Sequence, residues 1–91
     1  MSRDALRLHA DDDVAVALRS LAAGEVVTVD GAGITLRAAI PMAHKFALRA
    51  IAAGEAVRKY GEAIGVARSA IAAGDHVHVH NIVSRRARRS A

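Results

Sequence analysis

A short turn-forming segment occurs three times in this chain and constrains its fold more than any other feature. Each copy has a large apolar residue, two alanines, a glycine and an acidic residue before a strand-like stretch; the copies are Leu21–Val27, Ile51–Val57 and Ile71–Val77. Glycine supplies the positive φ of a tight turn, and β-branched residues favour strands. The glycines are 30 and then 20 residues apart. The pattern therefore predicts many short strands, and neither a solenoid of fixed period nor long helices.

The side chains available for a core are few. The chain has 91 residues, of which 53% are hydrophobic; 22 of these 48 are alanine, so 26 carry a larger apolar side chain. A domain of this size buries only about 60–65% of its unfolded surface. We therefore expect one small domain of marginal stability that works with a partner.

Composition excludes several classes of protein. Without cysteine, disulfides, thiolate metal sites and thiol nucleophiles are ruled out. No apolar run approaches the roughly 20 residues of a membrane-spanning helix. The N-terminal stretch of residues 1–13 is too charged for a secretory signal, which predicts a cytoplasmic protein.

The predicted fold is mostly β, with one short helix over residues 12–21. Asp11–Asp13 are suited to the first turn of that helix, and Gly24 to its end. Val26–Val29 and Ile34–Arg37 flank a glycine-containing turn, as in a β-hairpin. Other extended segments are expected at Ala5–His9, His44–Ile51, Val57–Tyr60, Val66–Ala70 and Val77–Ile82.

The formal net charge of +4 lies in the C-terminal tail. Arg85, Arg86, Arg88 and Arg89 account for four of the 13 basic residues, which leaves nine basic and nine acidic residues in 1–84. We expect a domain over 1–84 and a basic, disordered tail over 85–91. Binding of the tail to nucleic acid or to an acidic partner surface is the alternative, and the lack of an aromatic platform on which bases stack weakens the nucleic-acid interpretation.

Histidines and two lysines are the candidate functional residues. His76, His78 and His80 alternate with valines, so along a strand their imidazoles lie on one side. Alternating imidazoles can bind a divalent metal, but two ligands rarely suffice, and a third from His9, His44 or another chain is needed. An exposed polar edge is the alternative. Lys45 and Lys59 lie beside predicted turns, where a cation can bind a carboxylate.

An ordered set of residues resembles the N-terminal domain of altronate and galactarate dehydratases. The set spans roughly residues 5–82 and comprises His9–Leu18, Ile40–Leu48, Ile51–Glu55, Val57, Lys59–Glu62, Ile64–Gly65, Gly74 and Val77–Asn81. Two places differ from the family's pattern. Ala43-His44-Lys45 replaces Gly-His-Lys, and His9-Ala10-Asp11-Asp12-Asp13 replaces His-Pro-x-Asp-Asn.

The resemblance implies an SAF-type domain of the β-clip fold in a lyase that acts on sugar acids. It also implies a large subunit that completes the site, a divalent metal such as iron(II), and a small anionic carboxylate substrate. We expect catalytic roles for His44, His78 and His80, substrate binding by Lys45 and Lys59, and metal binding by His9, His78 and His80.

Two alternatives follow from related proteins. The small (alpha) subunit of (2R)-sulfolactate sulfo-lyase, a member of the same family, takes part in the elimination of sulfite rather than water. A non-enzymatic SAF-like binding or assembly module shares the skeleton of turns and strands but has no need of His44, His78 and His80.

Overall fold

The protein is built from short β-strands. The computed structural model describes residues 4–7, 9–59, 62–78 and 80–84, with the backbone alone for Lys59 and Ser84. The strands of these residues are β1 (Ala5–Leu6), β2 (Val14–Ala17), β3 (Val26–Val29), β4 (Ala32–Thr35), β5 (Lys45–Ala47), β6 (Ala56–Lys59), β7 (Glu62–Ala67), β8 (His76–Val77) and β9 (Ile82–Ser84). The prediction of a mostly β domain is confirmed. The tail over 85–91 lies outside the described residues.

The strands form three antiparallel sheets. The largest has the order β1-β2-β5-β8, a second is the β3-β4 hairpin, and the third has the order β6-β7-β9. The order of the first sheet places β5 between β2 and β8, although these strands are distant in sequence. Within the described ranges, no helix is long and apolar enough to cross a membrane.

The helix predicted over residues 12–21 is wrong, because this segment contains β2. Val14, Ala15 and Ala17 are all buried, so both faces of the strand are covered between β1 and β5. Asp13 does not cap a helix; its carboxylate accepts hydrogen bonds from the Arg49 side chain at 2.8 Å and from the Arg58 N–H at 2.9 Å. Pairing with neighbouring strands therefore overrides the local helix signal.

The predicted hairpin is confirmed, with a tighter turn. β3 pairs with β4 from Val26↔Thr35 to Val29↔Ala32, which leaves only Asp30 and Gly31 between the strands. Both have positive φ, 49° and 84°. An Asp-Gly pair in this conformation matches the twist of the flanking strands.

The core consists of two apolar clusters on either side of the central strands. Phe46 of β5 is fully buried in one, with Leu36 and Ile40. Val77 of β8 is fully buried in the other, with Ile51 and Val57. β5 contributes to both clusters, since Ala47 lies in the second. The residues next to Phe46 are thus held on a rigid strand.

The repeated turn occurs a fourth time, at Ile40–His44. In every copy the N–H of the turn's last residue donates to the carbonyl of the residue three positions earlier, at 3.0–3.2 Å. These bonds run from Glu25 to Ala22, His44 to Pro41, Glu55 to Ala52 and Asp75 to Ala72. The first residues of the four copies pair with one another in two isolated β-bridges, Leu21↔Ile40 and Ile51↔Ile71. The residue before the last has positive φ throughout: 85° at Gly24, 72° at Ala43, 83° at Gly54 and 89° at Gly74.

The strand predicted over Val77–Ile82 is two strands joined by a turn. β8 ends at Val77 and β9 begins at Ile82. The Asn81 and Ile82 N–H groups both donate to the His78 carbonyl, at 3.1 and 3.2 Å, which reverses the chain. The imidazoles of this segment therefore do not lie along one continuous strand.

Candidate metal centre

His44 owes its position to the chemistry of the fourth turn. In the other three copies the last side chain is a carboxylate that accepts the N–H of the turn's second residue, at 3.0 Å from Ala22, 2.9 Å from Ala52 and 2.8 Å from Ala72. Pro41 has no N–H to donate at the equivalent place. The side chain of His44 is therefore not held by its own turn and reaches a neighbouring strand instead.

That neighbouring strand is β8. It pairs with β5 through Phe46↔His76 and Lys45↔Val77, which places His76 close to the start of β5. Val77 is fully buried, so the chain of β8 is anchored between two half-buried histidines, His76 and His78. Sheet pairing thus brings residues from two distant segments to one place.

Three imidazoles meet there. His44 Nδ1 lies 2.9 Å from His76 Nε2, and the ring centroids of His44 and His78 are 4.6 Å apart in a stacked arrangement. The rings of His76 and His78 are stacked at 5.5 Å with an interplanar angle of 8°. One ligand nitrogen from each of the three histidines lies within 4.8 Å of the others.

The electrostatic surroundings favour neutral imidazoles. Burial lowers the pKa of His76, and the positive charges possible on His44, His80, His78 and Lys45 lower it further. Burial is also the main cause of the lowered pKa of His78, followed by His44, Lys45 and His80. Neutral imidazole is the form that binds a metal ion.

The donor set fits a divalent transition metal. In octahedral or tetrahedral coordination, metal–nitrogen bonds of about 2.0–2.1 Å place neighbouring ligand nitrogens roughly 2.8–3.4 Å apart. The His44–His76 separation of 2.9 Å lies within this range, and one ligand nitrogen from each of the three histidines is already within 4.8 Å of the others. Imidazole suits iron, zinc, copper and nickel alike, so the ligands define a class of metal rather than one element.

Only some of the predicted site residues lie close together in the structure. It brings His44 and His78 together, and the ring of His80 lies 5.4 Å from that of His76 without belonging to the group of three. Lys45 precedes Phe46 on β5 and is close enough to lower the pKa of His76 and His78. The backbone of Lys59 ends β6, opposite Glu62.

His9 is not brought to this group. Its Nδ1 accepts the Asp11 N–H at 3.1 Å and lies 3.8 Å from the Asp11 carboxylate, in an exposed loop. The structure groups His76 with His44 and His78, whereas the sequence prediction named His9 with His78 and His80. The His76-Val77-His78 alternation indicates that these two imidazoles lie on one side of the chain. Spacing alone does not show which of the alternating histidines contacts His44.

A separate cavity of about 300 Å³ lies between the first loop and the β3-β4 hairpin. Four of its charged groups form two ion pairs, Arg7 with Asp30 at 3.3 Å and Arg49 with Asp13 at 2.8 Å. None of the three clustered histidines lines it. We interpret these pairs as structural, since Arg49 and Asp13 join β2 to the loop after β5.

The fold and the site together define the class of this protein as a small β domain that carries a solvent-accessible cluster of imidazoles. Residues 3–85 match the sequence profile of the altronate/galactarate dehydratase SAF domain. The chain therefore belongs to the altronate/galactarate dehydratase SAF-domain family, and the expected SAF-type fold is confirmed.

Individual relatives are of two kinds. The chain is 54% identical to an altronate dehydratase of Escherichia coli over 84% of its own length, but spans only 15% of that protein. It is 40% identical to a (2R)-sulfolactate sulfo-lyase subunit alpha of Chromohalobacter salexigens over 94% of this chain and 99% of the relative. A second subunit alpha, from Paracoccus pantotrophus, is 44% identical over 67% of this chain and 94% of the relative.

Proposed function

We propose that this chain supplies a metal-binding and substrate-binding part of a lyase active site that a large subunit completes. The single observation that carries the proposal is the convergence of His44, His76 and His78 to within 4.8 Å. Family membership supports the lyase class, because the relatives are named as a dehydratase and a sulfo-lyase. The proposed substrates are sugar acids or related small polyanionic acids.

The three histidines would hold the ion as neutral imidazoles. The metal, for which iron(II) is our candidate, would polarise a carboxylate or a leaving group and stabilise negative charge on the substrate. His44 and His76 are positioned by the β5–β8 pairing, so the protein fixes two ligands before the ion arrives. The lowered pKa values of His76 and His78 keep their nitrogen lone pairs available at neutral pH.

Lys45 and Lys59 are the proposed contacts for the substrate's negative groups. Elimination β to a carboxylate removes a weakly acidic proton and creates enolate-like charge, which a fixed cation stabilises. Lys45 follows His44 directly in the sequence and begins β5, immediately after the fourth turn. His80, beside the three ligands but outside their group, is the proposed histidine for substrate contact or proton transfer.

Elimination of water from a sugar acid is the leading proposal for the reaction. It rests on the 54% identity to the altronate dehydratase, against 40% and 44% for the sulfo-lyase subunits. Elimination of sulfite from sulfolactate is the second candidate. It is favoured by the 99% coverage of a subunit alpha, a name that itself implies a multi-subunit enzyme. A cytoplasmic location stays a prediction.

Subunit and domain replacement distinguishes the two reactions. This chain is substituted for the matching region of the Escherichia coli altronate dehydratase and, separately, for subunit alpha of the Chromohalobacter salexigens sulfo-lyase. We expect the first hybrid to consume altronate or galactarate; activity of only the second on sulfolactate would favour the alternative. Each active hybrid is then tested with His76→Ala. Two inactive hybrids beside active parent enzymes would contradict a lyase role.

A further inference from the structure

Asn81 joins the main chain of two of the three clustered histidines. Its side-chain oxygen accepts the His78 N–H at 3.0 Å, and its side-chain nitrogen donates to the His76 carbonyl at 2.7 Å. The residue is only 8% exposed, so these bonds are shielded from water. One amide thus bridges the chain on both sides of Val77.

The two Asn81 hydrogen bonds lie at the end of β8, where its pairing with β5 ends. Pairing of β8 with β5 extends over His76 and Val77 and does not include His78. The N–H of His78 is bonded to Asn81 instead of to a neighbouring strand. Asn81 is itself fixed, because its carbonyl accepts the Arg68 N–H at 2.9 Å, just after β7. The position of His78 relative to the sheet therefore depends on this asparagine.

The chemistry requires an amide at position 81. A buried amide offers a donor and an acceptor from one planar group, whereas aspartate has no donor and alanine has neither. Loss of the side chain leaves the His76 carbonyl and the His78 N–H without their partner in a shielded place, which is unfavourable unless the turn rearranges.

We propose that Asn81 is a positioning residue that holds the His76 and His78 backbones so that their imidazoles stay stacked against each other. It binds no metal and touches no substrate. The proposal deepens the function proposed above, because two of the three metal ligands depend on this one side chain. Hydrogen bonds that orient metal ligands are worth about 10–100-fold in metal affinity.

The first test needs no metal. Nuclear Overhauser contacts between the His76 and His78 rings are recorded for the full chain and for Asn81→Ala. We expect these contacts in the unmodified chain and their loss in N81A. Asn81→Asp keeps the acceptor for the His78 N–H but has no donor for the His76 carbonyl, so it also loses them; it serves as the second variant should N81A fail to fold.

Co(II) binding gives the second readout. We expect the Co(II) dissociation constant of N81A to rise at least about tenfold. Val27→Ala is the matched control, since Val27 is fully buried in the first cluster and lies on the β3-β4 hairpin, which carries none of the three histidines. V27A is expected to keep both the ring contacts and the Co(II) affinity, measured well below its unfolding temperature.

The outcomes separate this proposal from the proposed function. Ring contacts and Co(II) affinity that survive in N81A, or in N81D, would overturn the role of Asn81. An unmodified chain that shows the ring contacts but binds no Co(II) would overturn the metal site alone, and the ring contacts would still decide what Asn81 does.

Discussion

His44 and His76 are 32 residues apart in the sequence, yet His44 Nδ1 and His76 Nε2 lie 2.9 Å from each other. Two structural features create this contact. The β5–β8 register brings Phe46 opposite His76, and the fourth copy of the turn ends at His44. The candidate metal centre is therefore produced by the same repeated turn that builds the fold, with its acidic residue replaced by histidine.

The first prediction concerns the strain at Ala43. Its φ of 72° is unfavourable for a residue with a Cβ. Relief of this strain, about 1–2 kcal/mol, exceeds the extra unfolded-state entropy of glycine, so Ala43→Gly is expected to stabilise the domain by about 0.5–1 kcal/mol. Urea unfolding followed by circular dichroism measures the change. A lower unfolding free energy in A43G would show that Ala43 is not strained.

A second prediction compares two glycines with the same backbone conformation. A Cβ added at Gly74 would lie 2.0 Å from the Thr35 carbonyl oxygen, whereas a Cβ at Gly24 meets nothing within 4 Å. Gly24→Ala is expected to cost about 1–2 kcal/mol for its positive φ alone, and Gly74→Ala about 3 kcal/mol or more. Equal losses in the two variants would contradict the close approach at Gly74.

The third prediction tests why the side chain of His44 is not held by its own turn. Pro41→Ala restores an N–H, and His44→Asp restores a carboxylate, so only the double variant recreates the capped turn seen at Asp75. A double-mutant cycle on unfolding free energy is expected to show about 1 kcal/mol of favourable coupling. A coupling of zero would mean that Pro41 does not determine where the side chain of residue 44 goes.

Two partly exposed turn carboxylates, Glu25 and Glu55, make stability depend on pH. Hydrogen bonds from Arg19 and from the Ala22 N–H lower the pKa of Glu25, and bonds from Arg49 and the Ala52 N–H lower that of Glu55. The unfolded chain therefore binds more protons than the folded chain near pH 4, and stability is lost as the pH falls below about 4.5.

Urea midpoints between pH 3 and pH 7 test this dependence. We expect the midpoint to fall on acidification, and Glu55→Gln to reduce the size of that fall. Added salt is expected to weaken the effect, because both ion pairs are accessible to solvent. A midpoint in E55Q that falls with acid as steeply as in the unmodified chain would contradict the assignment.

Much of the fold was readable from the sequence, because the turn chemistry is local. Glycine at the positive-φ position marks Gly24, Gly54 and Gly74, and an Asp-Gly pair marks the hairpin. The fourth turn was hidden, since Pro41-Met42-Ala43-His44 shares neither the glycine nor the acid with the other copies. Its identity as the same turn is visible only in its hydrogen bonds and φ.

The errors have a common physical cause, which is long-range pairing. Asp13 looked like a helix cap, but its carboxylate bonds Arg49 and the Arg58 N–H, both distant in sequence. The sequence also leaves open which histidines group with His44, because that depends on which residue the β5–β8 register places beside it. No local pattern in the chain encodes that register.

Metal binding by the isolated chain tests the central claim most directly. Co(II) is added anaerobically to the unmodified chain and to His76→Ala, with His9→Ala as the matched control, and visible absorption is recorded. We predict one Co(II) per chain, loss of binding in H76A and unchanged binding in H9A. Binding that survives in H76A, or is lost in H9A, would contradict the claim that His44, His76 and His78 form the metal centre.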